Sequence, residues 1–286
     1  MKKFQDLDMS NAFLFAAALE DPELCQMVIE IVLDEAVGTV KVKVERTILF
    51  NSDFRFVRLD VYATDSVNVE YNIEMQNKNE GKLPKRSRYH QAEMDLSSLK
   101  PGDDFNDSQP SVIIFICSFD PFGYKLFRYT FEERCKEVDI PLGDGTKKIF
   151  LSTKGENPED VPAELVHFLK YVEKSTDECV EQANDEKLAK LHKKVKTLKQ
   201  SRDLEARYML FEELLQQERN DGKAEGKADG ELLKLIALVR KKQDKGLDAA
   251  TIAEHLEEPV EYVEKILGMI QENPSAGDEE ILDKVR

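Results

Sequence analysis

Two carboxylates and one carboxamide lie on neighbouring segments of this chain that both have the pattern of a β-strand. Asp60 is in the first segment, and Glu74 and Gln76 follow in the second. Apolar and polar residues alternate around all three, which indicates strands with one buried and one polar face. Carboxylate oxygens are the ligands that Mg²⁺ prefers, and a bound divalent ion can polarise a phosphate and activate water. The pattern therefore predicts a metal site for phosphodiester hydrolysis.

The two carboxylates can bind one ion only if their side chains project from the same face of a hairpin. Residues that lie directly opposite each other in an antiparallel pair have their side chains on the same face, and the face alternates along each strand. Asp60 and Glu74 both have even numbers, so they share a face only if the two residue numbers of each opposite pair add up to an even number. This requires a loop with an odd number of residues between the two strands. A three-residue loop over 65–67 would pair Asp60 with Asn72 and set Glu74 on the diagonal, within reach of the same ion. The alternative is that these polar residues only cover a solvated face.

Two further residues continue the polar face of the second strand. Gln76 lies two residues beyond Glu74, where its carboxamide can orient the attacking water. Lys78 lies on the same face if the strand continues that far. The sequence therefore extends the predicted site to the end of this strand.

Basic residues follow this strand directly, in a segment predicted to be helical over residues 83–99. Arginine suits contact with a phosphate because its guanidinium donates through a bidentate fork. The alternative is that Arg86 and Arg88 only pair with nearby carboxylates such as those of Glu93 or Asp95. Four residues of the segment share one helical face: Arg86, Tyr89, His90 and Glu93.

The composition limits what else the chain does. Its 286 residues include 57 acidic and 41 basic side chains, which give a net charge of −16. Such a surface repels nucleic acid, so a DNA site must be a local basic patch, and the charge argues against a purely DNA-binding protein. The 41% of hydrophobic residues is enough for a real core, and the 34% of charged residues indicates a large, solvated helical portion.

Cysteine spacing and apolar runs point to a soluble protein. The four cysteines are widely scattered without a C-x-x-C pair, which argues against zinc sites and disulfides and favours idle or buried thiols in a reducing cytosol. The N-terminus lacks the apolar core of a signal peptide, and the longest apolar runs have the length of strands. We therefore expect a cytoplasmic protein with no membrane partner.

The order of predicted elements describes a mixed sheet with helices packed on it. Two helices open the chain, the first capped by Ser10 and the second beginning at Pro22 and ending at Gly38. The nearly continuous apolar run 111–119 fits a central strand buried on both faces. The other strands are predicted at 40–50, 55–63, 67–76, 124–131 and 147–153.

The second half of the chain is predicted to be helical throughout. We predict a core over 1–155, a helical extension over 156–220 with a possible coiled-coil seam (Leu188, Leu191, Val195, Leu198), a linker or weakened helix over 221–230, and a small helical domain over 231–286. Residues 247–267 resemble a helix-turn-helix, but the second helix is acidic. Intrachain packing or dimerisation is therefore favoured over DNA reading.

These residues together resemble the PD-(D/E)XK nuclease superfamily, specifically its transposase branch, the recombination-promoting nuclease group. The resemblance covers roughly residues 1–220 and includes the strand 111–119 and the helical tail with its regular glycines. Three segments carry it most clearly: Arg58-Leu59-Asp60-Val61-Tyr62-Ala63, Asn72-Ile73-Glu74-Met75-Gln76 and Arg86-x-Arg88-Tyr89. It implies an α/β, restriction-endonuclease-like mixed central sheet flanked by helices, with an all-helical C-terminal region.

The resemblance also assigns roles to individual residues. Asp60 and Glu74 match the metal-binding acids, and Gln76 stands at the position where the superfamily usually has lysine. An acidic residue on the first helices is also frequent, and Glu30 is the candidate here. Because glutamine carries no positive charge, the metal and the arginines must stabilise more of the charge at the phosphate. Four residues are then predicted to bind the substrate: Arg86, Arg88, Tyr89 and Lys78.

The function that this implies is a Mg²⁺- or Mn²⁺-dependent DNA endonuclease with little sequence preference, linked to DNA mobilisation or recombination. The alternative is a catalytically inactive nuclease-like scaffold that acts through its helical tail. The missing lysine and the net charge of −16 favour the scaffold, whereas the intact acid pair favours the enzyme. Either protein could form a homo-oligomer through its C-terminal helices.

Overall fold

The computed structural model describes residues 2–45, 48–51, 54–57, 60–99 and 101–285, with side chains described at 2–43, 61–99 and 101–285. Arg58 and Leu59 of the first predicted strand therefore lie outside the described residues, as does Lys100. Asp60 is described by its backbone alone.

A mixed six-stranded sheet forms the centre of the fold, with the strand order β1-β4-β5-β6-β8-β7. β5 and β8 run parallel to β6 on either side of it, and the remaining pairs are antiparallel. β2 and β3 form a separate antiparallel hairpin. The strands are β1 (Lys41–Glu45), β2 (Ile48–Asn51), β3 (Phe54–Val57), β4 (Asp60–Thr64), β5 (Glu70–Gln76), β6 (Ser111–Cys117), β7 (Arg128–Phe131) and β8 (Thr146–Ser152).

The register of β4 and β5 agrees with the predicted parity but not with the predicted pairs. Tyr62, rather than Asp60, lies opposite Asn72. The loop has five residues instead of three, because the buried Asp65 accepts hydrogen bonds from the backbone N–H groups of Val67 and Val69 at 2.9 Å. One further step along this ladder brings the backbone of Asp60 opposite Glu74, closer than the predicted diagonal.

Helices cover the sheet and form the rest of the chain. The described part contains α1 (Ala12–Leu19), α2 (Pro22–Leu33), α3 (Leu83–Ser98), α4 (Ala163–Glu173), α5 (Asp177–Ala183), α6 (Glu186–Lys199), α7 (Arg202–Gln243), α8 (Ala249–Leu256), α9 (Val260–Glu272) and α10 (Asp278–Val285). None of the described helices is long and apolar enough to cross a membrane.

The ends of the first two helices differ from the sequence prediction. Asn11, not Ser10, caps α1, because its side chain accepts a hydrogen bond from the N–H of Leu14 at 3.1 Å. α2 ends at Leu33 rather than at Gly38, since Asp34 has the left-handed backbone conformation that terminates a helix. Short polar side chains therefore set both ends.

The two faces of the sheet are covered by different helices. On one face, Leu83 and Met94 of α3 pack against Ile113, Phe115 and Cys117 of β6. α1 contacts β4 and β5, whose odd-numbered residues are buried on the opposite face. The central strand β6 is buried along its whole length, as its apolar run predicts. The sheet thus separates α3 from the N-terminal helices.

By its internal contacts the chain divides into two units, Met1–Tyr208 and Met209–Arg286. The first unit extends beyond the predicted boundary at 155, because α4 and α6 pack against α2 and α1. The predicted coiled-coil positions Leu188, Leu191 and Val195 are fully buried by this packing. Lys194 of α6 also forms ion pairs with Asp21 and Glu23, at 2.8 and 2.6 Å.

The second unit has an apolar core of its own. Ile236 of α7, Ile252 of α8, Ile266 of α9 and Ile281 of α10 are all fully buried in it. The helix-turn-helix pattern thus reflects packing within the chain. α7 runs without a break through Gly222, Gly226 and Gly230, so residues 221–230 are helical.

Candidate active site

Glu74 lies in the middle of the sheet, on the face that α3 covers. In the parallel pair of β5 and β6, Glu74 lies opposite Phe115. Its exposed fraction is only 7%. The expectation of a solvated face is therefore wrong for this residue. A buried carboxylate is costly unless it is paired, so its surroundings determine what it can bind.

Two donors meet one oxygen of this carboxylate. The Arg86 guanidinium and the Gln76 carboxamide both donate to Oε1 of Glu74. Arg86 reaches down from the first turn of α3, and its guanidinium carbon lies 6.0 Å from the centre of the Phe115 ring. Gln76 is thus close to Glu74, as the shared strand face predicts, and Arg86 pairs with Glu74 rather than with Glu93 or Asp95.

The second oxygen of Glu74 has different surroundings. Oε2 is buried and accepts no hydrogen bond from any described residue. Nε2 of His90 lies 3.5 Å from it. An acceptor oxygen that is buried without a hydrogen bond is uncommon in native proteins and points to a bound ion, to a bound water or to a functional role.

His90 is a member of the cluster to which the sequence analysis assigned no role. It is buried between two carboxylates, since its Nδ1 also lies 3.3 Å from Oε2 of Glu93. His90 follows Arg86 by four residues, so both side chains project from α3 toward Glu74. The spacing of four residues was visible in the sequence. It indicates contact with Glu74 only when one also knows that α3 covers the sheet face on which Glu74 lies.

Asn72 is a second buried polar residue that sequence reasoning did not place in the site. It is fully buried, and neither its carboxamide oxygen nor its nitrogen has a hydrogen-bond partner among the described residues. It precedes Glu74 by two positions and lies on the same face of β5. The polar interior under α3 therefore extends beyond the carboxylate.

The burial of Cys117 reports on the electrostatics of this region. Its backbone pairs with that of Gln76 at the end of the parallel strands. Burial raises the pKa of the Cys117 thiol to about 12, and the negative charges of Glu74 and Asp120 add to the shift. Cys117 is thus shielded from water and lies near the negative charge of Glu74.

The predicted substrate-binding residues surround this cluster at the surface. Arg88 and Tyr89 are exposed on α3, and the Tyr89 ring lies edge-on to the His90 ring, with their centres 6.1 Å apart. Lys78 is exposed but lies beyond the end of β5 at Gln76. The condition that the strand continues to Lys78 is therefore not met.

Glu30 lies in different surroundings from Glu74. Its Oε1 accepts hydrogen bonds from the Gln26 side chain and from the backbone N–H of Val37, at 3.0 and 3.3 Å. It thus fixes the chain that follows α2, on the other face of the sheet from α3. The role of Glu30 as a metal ligand stays a prediction from the family resemblance.

Comparison with protein families identifies one family for most of the chain. The family model of the PD-(D/E)XK nuclease family transposase matches residues 13–225, about three quarters of the chain. The chain belongs to this family. Neither the curated proteins nor the solved structures include a match to it.

Glu74 is the acid of the E-x-Q segment in this member of the PD-(D/E)XK nuclease family. Nucleases of this superfamily generally use divalent metals. Among the residues with described side chains, no group of three or more acidic, histidine or cysteine residues could hold an ion. Asp60 is not among those residues. The carboxylate oxygen Oε2 of Glu74, which accepts no hydrogen bond from the described residues, has the chemistry of a ligand for an oxygen-binding cation.

Proposed function

We propose that this protein is a metal-dependent endonuclease that hydrolyses DNA phosphodiester bonds with little sequence preference, in DNA mobilisation or recombination. Asp60 and Glu74 hold Mg²⁺ or Mn²⁺. The bound ion supplies Lewis-acid activation of the phosphate and of a water molecule. The observation that carries the proposal is the buried carboxylate of Glu74, with Oε2 lacking a hydrogen bond and Oε1 bound to Gln76 and Arg86.

The residues around Glu74 would divide the remaining work. The Gln76 carboxamide would hold Glu74 in place through its nitrogen, which leaves its carbonyl oxygen free to accept a hydrogen bond from the attacking water and so to orient it. Arg86 lies close enough to Glu74 to contact a phosphate bound there, and its charge replaces that of the usual lysine. Arg88, Tyr89 and Lys78 bind the DNA backbone from the exposed side.

Nicking of supercoiled plasmid DNA tests the proposal. In Mg²⁺ or Mn²⁺ we expect the wild type to nick the plasmid, and Asp60→Ala and Glu74→Gln to lose at least a hundredfold in rate, because each removes a ligand of the ion. Glu80→Gln is a matched control, since Glu80 is an exposed glutamate in the loop after β5. Nicking at the wild-type rate by a folded Asp60→Ala variant would refute the assignment.

One observation favours a second candidate, the catalytically inactive scaffold. Arg86 already neutralises Glu74, so the cluster is stable as an ion pair without a metal. If that were its only role, the cluster would hold α3 on the sheet, and the helical tail would carry the function. The scaffold predicts that Mn²⁺ neither binds to Glu74 nor stabilises the protein.

A further inference from the structure

A groove of about 440 Å³ lies beside the Glu74 cluster, between the edge strand β1 and α3. Lys41 and Lys43 line its β1 side, and Glu93 and Ser97 line its α3 side. Its floor includes Tyr62 of β4. Because neighbouring strands are about 4.8 Å apart, β1 lies roughly 10 Å from β5, the strand of Glu74. The groove thus begins within a few nucleotides of the proposed cleavage point.

The two lysines are the free cations of this groove. Both are exposed, and within the described part of the chain neither forms a hydrogen bond or an ion pair. Lys43 pairs with Tyr62 and Lys41 with Thr64 across the antiparallel strands, so both lysines share the sheet face of Glu74. In a chain with a net charge of −16, two unpaired lysines beside a buried acidic cluster form a local basic strip.

Of the two acidic residues that line the groove, Glu93 is in contact with a histidine and Glu70 has a raised pKa. Glu93 directs Oε2 toward Nδ1 of His90, at 3.3 Å. Burial raises the pKa of Glu70, and the negative charge of Asp95 raises it further. These two carboxylates therefore oppose a bound anion less than two solvated acids would, while the lysine side chains extend to the solvent.

Tyr62 supplies an aromatic surface at the floor. It is half-buried, packs against the apolar cluster under α3 and lies between Lys43 and Asn72 in one row across the sheet. Single-stranded DNA is bound by grooves that combine basic side chains for the backbone with aromatic rings on which bases stack. In a duplex the base faces are covered by their neighbours and could not stack on this ring.

We propose that this groove binds single-stranded DNA adjacent to the cleaved phosphodiester, with Lys41 and Lys43 on its phosphates and Tyr62 under one of its bases. The proposal rests on the proposed nuclease function for the position of the cleaved bond. The bound DNA strand runs from the Glu74 cluster along β1, so the nucleotides on one side of the cleaved phosphodiester are held unpaired. Duplex DNA that opens readily near the cut would then be preferred.

Fluorescence anisotropy with a labelled single-stranded oligonucleotide in EDTA tests the groove without cleavage. For the Lys41→Gln/Lys43→Gln variant, we expect a salt dependence of log K that is shallower by about 1.4, the loss of two phosphate contacts on a single strand. Tyr62→Leu should weaken binding by about five- to a hundredfold without changing that slope, and Tyr62→Phe should bind as the wild type does.

A matched pair of lysines controls for net charge. Lys170 and Lys174 are exposed on α4 and just after it, away from α3, and Lys170→Gln/Lys174→Gln should leave the affinity and slope unchanged.

The proposal is overturned if the wild type binds no single-stranded oligonucleotide, if the groove variant binds as the wild type does, or if a duplex of the same sequence binds at least as tightly. Plasmid nicking by the wild type together with unaltered binding by the groove variant rejects the groove alone. Lost binding in that variant without any nicking by the wild type rejects the nuclease alone.

Discussion

Glu74 combines properties that a purely structural residue seldom has. It is almost fully buried, one of its oxygens binds two donors and the other binds none among the described residues. Leaving a buried acceptor unsatisfied costs about 1–3 kcal/mol, so the arrangement is expensive unless a further group completes it. The divalent cation that we propose between Asp60 and Glu74 would be such a group.

Arg86 should compete with the metal for Glu74. Arg86→Gln removes a charge-assisted hydrogen bond, and we expect it to lower the metal-free stability by about 1–2 kcal/mol, since the guanidinium is partly exposed. Mn²⁺ should then stabilise this variant more than it stabilises the wild type, because the positive charge of Arg86 no longer repels an ion bound at Oε2. Urea unfolding with and without Mn²⁺ measures both effects.

Arg88→Gln is the control for this experiment, because Arg88 is an exposed neighbour on the same helix. It should leave the stability and the Mn²⁺ effect unchanged while weakening DNA binding. Equal stabilisation of wild type and Arg86→Gln by Mn²⁺ would contradict a metal site at Glu74.

The cysteines offer a chemical test of which parts of the fold are dry. Burial raises the pKa values of Cys25 and Cys117 to about 12, whereas Cys135 is exposed. At pH 8 we expect an alkylating reagent to modify Cys135 first, and Cys25 and Cys117 only after unfolding, since the thiolate is the reactive form. Mass spectrometry of peptides gives the order, and early modification of Cys117 would show that the region near Glu74 is open to solvent.

At the residue scale, the sequence predicted which strand face carries Glu74 but not what surrounds it. Alternation along the strands was enough to place Glu74 and Gln76 on one face. The predicted parity of the pairing between β4 and β5 is confirmed, since the numbers of each opposite pair add up to an even number. The contacts of Arg86 and His90 with Glu74 could not be predicted, because they depend on which face of the sheet α3 covers. That choice is made by Leu83 and Met94 packing on β6, a long-range contact.

At the element scale, strand and helix positions followed from periodicity, while their ends followed from single side chains. The central strand was predicted to begin at its observed first residue and to end two residues late. The loop between β4 and β5 was predicted two residues too short, because the role of Asp65 in capping its own loop is not visible in the alternation. A polar side chain that binds nearby backbone can outweigh the pattern of the flanking strands.

The glycines of α7 are a test of the continuous helix. A Cβ added at Gly222, Gly226 or Gly230 would meet nothing within 4 Å. Replacing all three by alanine should therefore stabilise this helix, by up to about 1 kcal/mol per site, because glycine is costly inside a helix. Circular dichroism should show more helix and a higher unfolding midpoint, and a loss of helix would indicate that these residues form a linker.

Gly155→Ala is the contrasting variant. A Cβ there would lie 2.7 Å from the backbone Cα of Phe127, so the chain would have to move. We expect this substitution to lower the unfolding midpoint, while the changes in α7 raise it. The opposite signs distinguish packing constraints from helix propensity.

At the scale of the whole molecule, the helices α4, α5 and α6 are part of the sheet-containing unit. Hydrogen bonds and charge from Lys190 and Lys194 of α6 lower the pKa of Glu23 at the start of α2 to about 2. Because this folded-state pKa lies below the unfolded value, the stability from these contacts is present above about pH 4.5 and is lost as the pH falls toward 2.

Glu23→Gln should therefore flatten the acid side of the stability profile. The difference in urea midpoint between pH 7 and pH 3 should be smaller for this variant than for the wild type. Glu80→Gln serves as the control, since its exposed carboxylate lies outside α2 and α6. An unchanged difference for Glu23→Gln would show that α6 docks without these ion pairs.

The family relation and the sheet agree at this scale, yet the balance between nuclease and scaffold depends on a single property, the binding of a divalent ion at Glu74. Titration with Mn²⁺, followed by electron paramagnetic resonance of the free ion, measures that property directly. We predict saturable binding by the wild type and by Glu80→Gln, and its loss in Glu74→Gln. Equal binding by the wild type and Glu74→Gln, or no binding by either, would contradict the account.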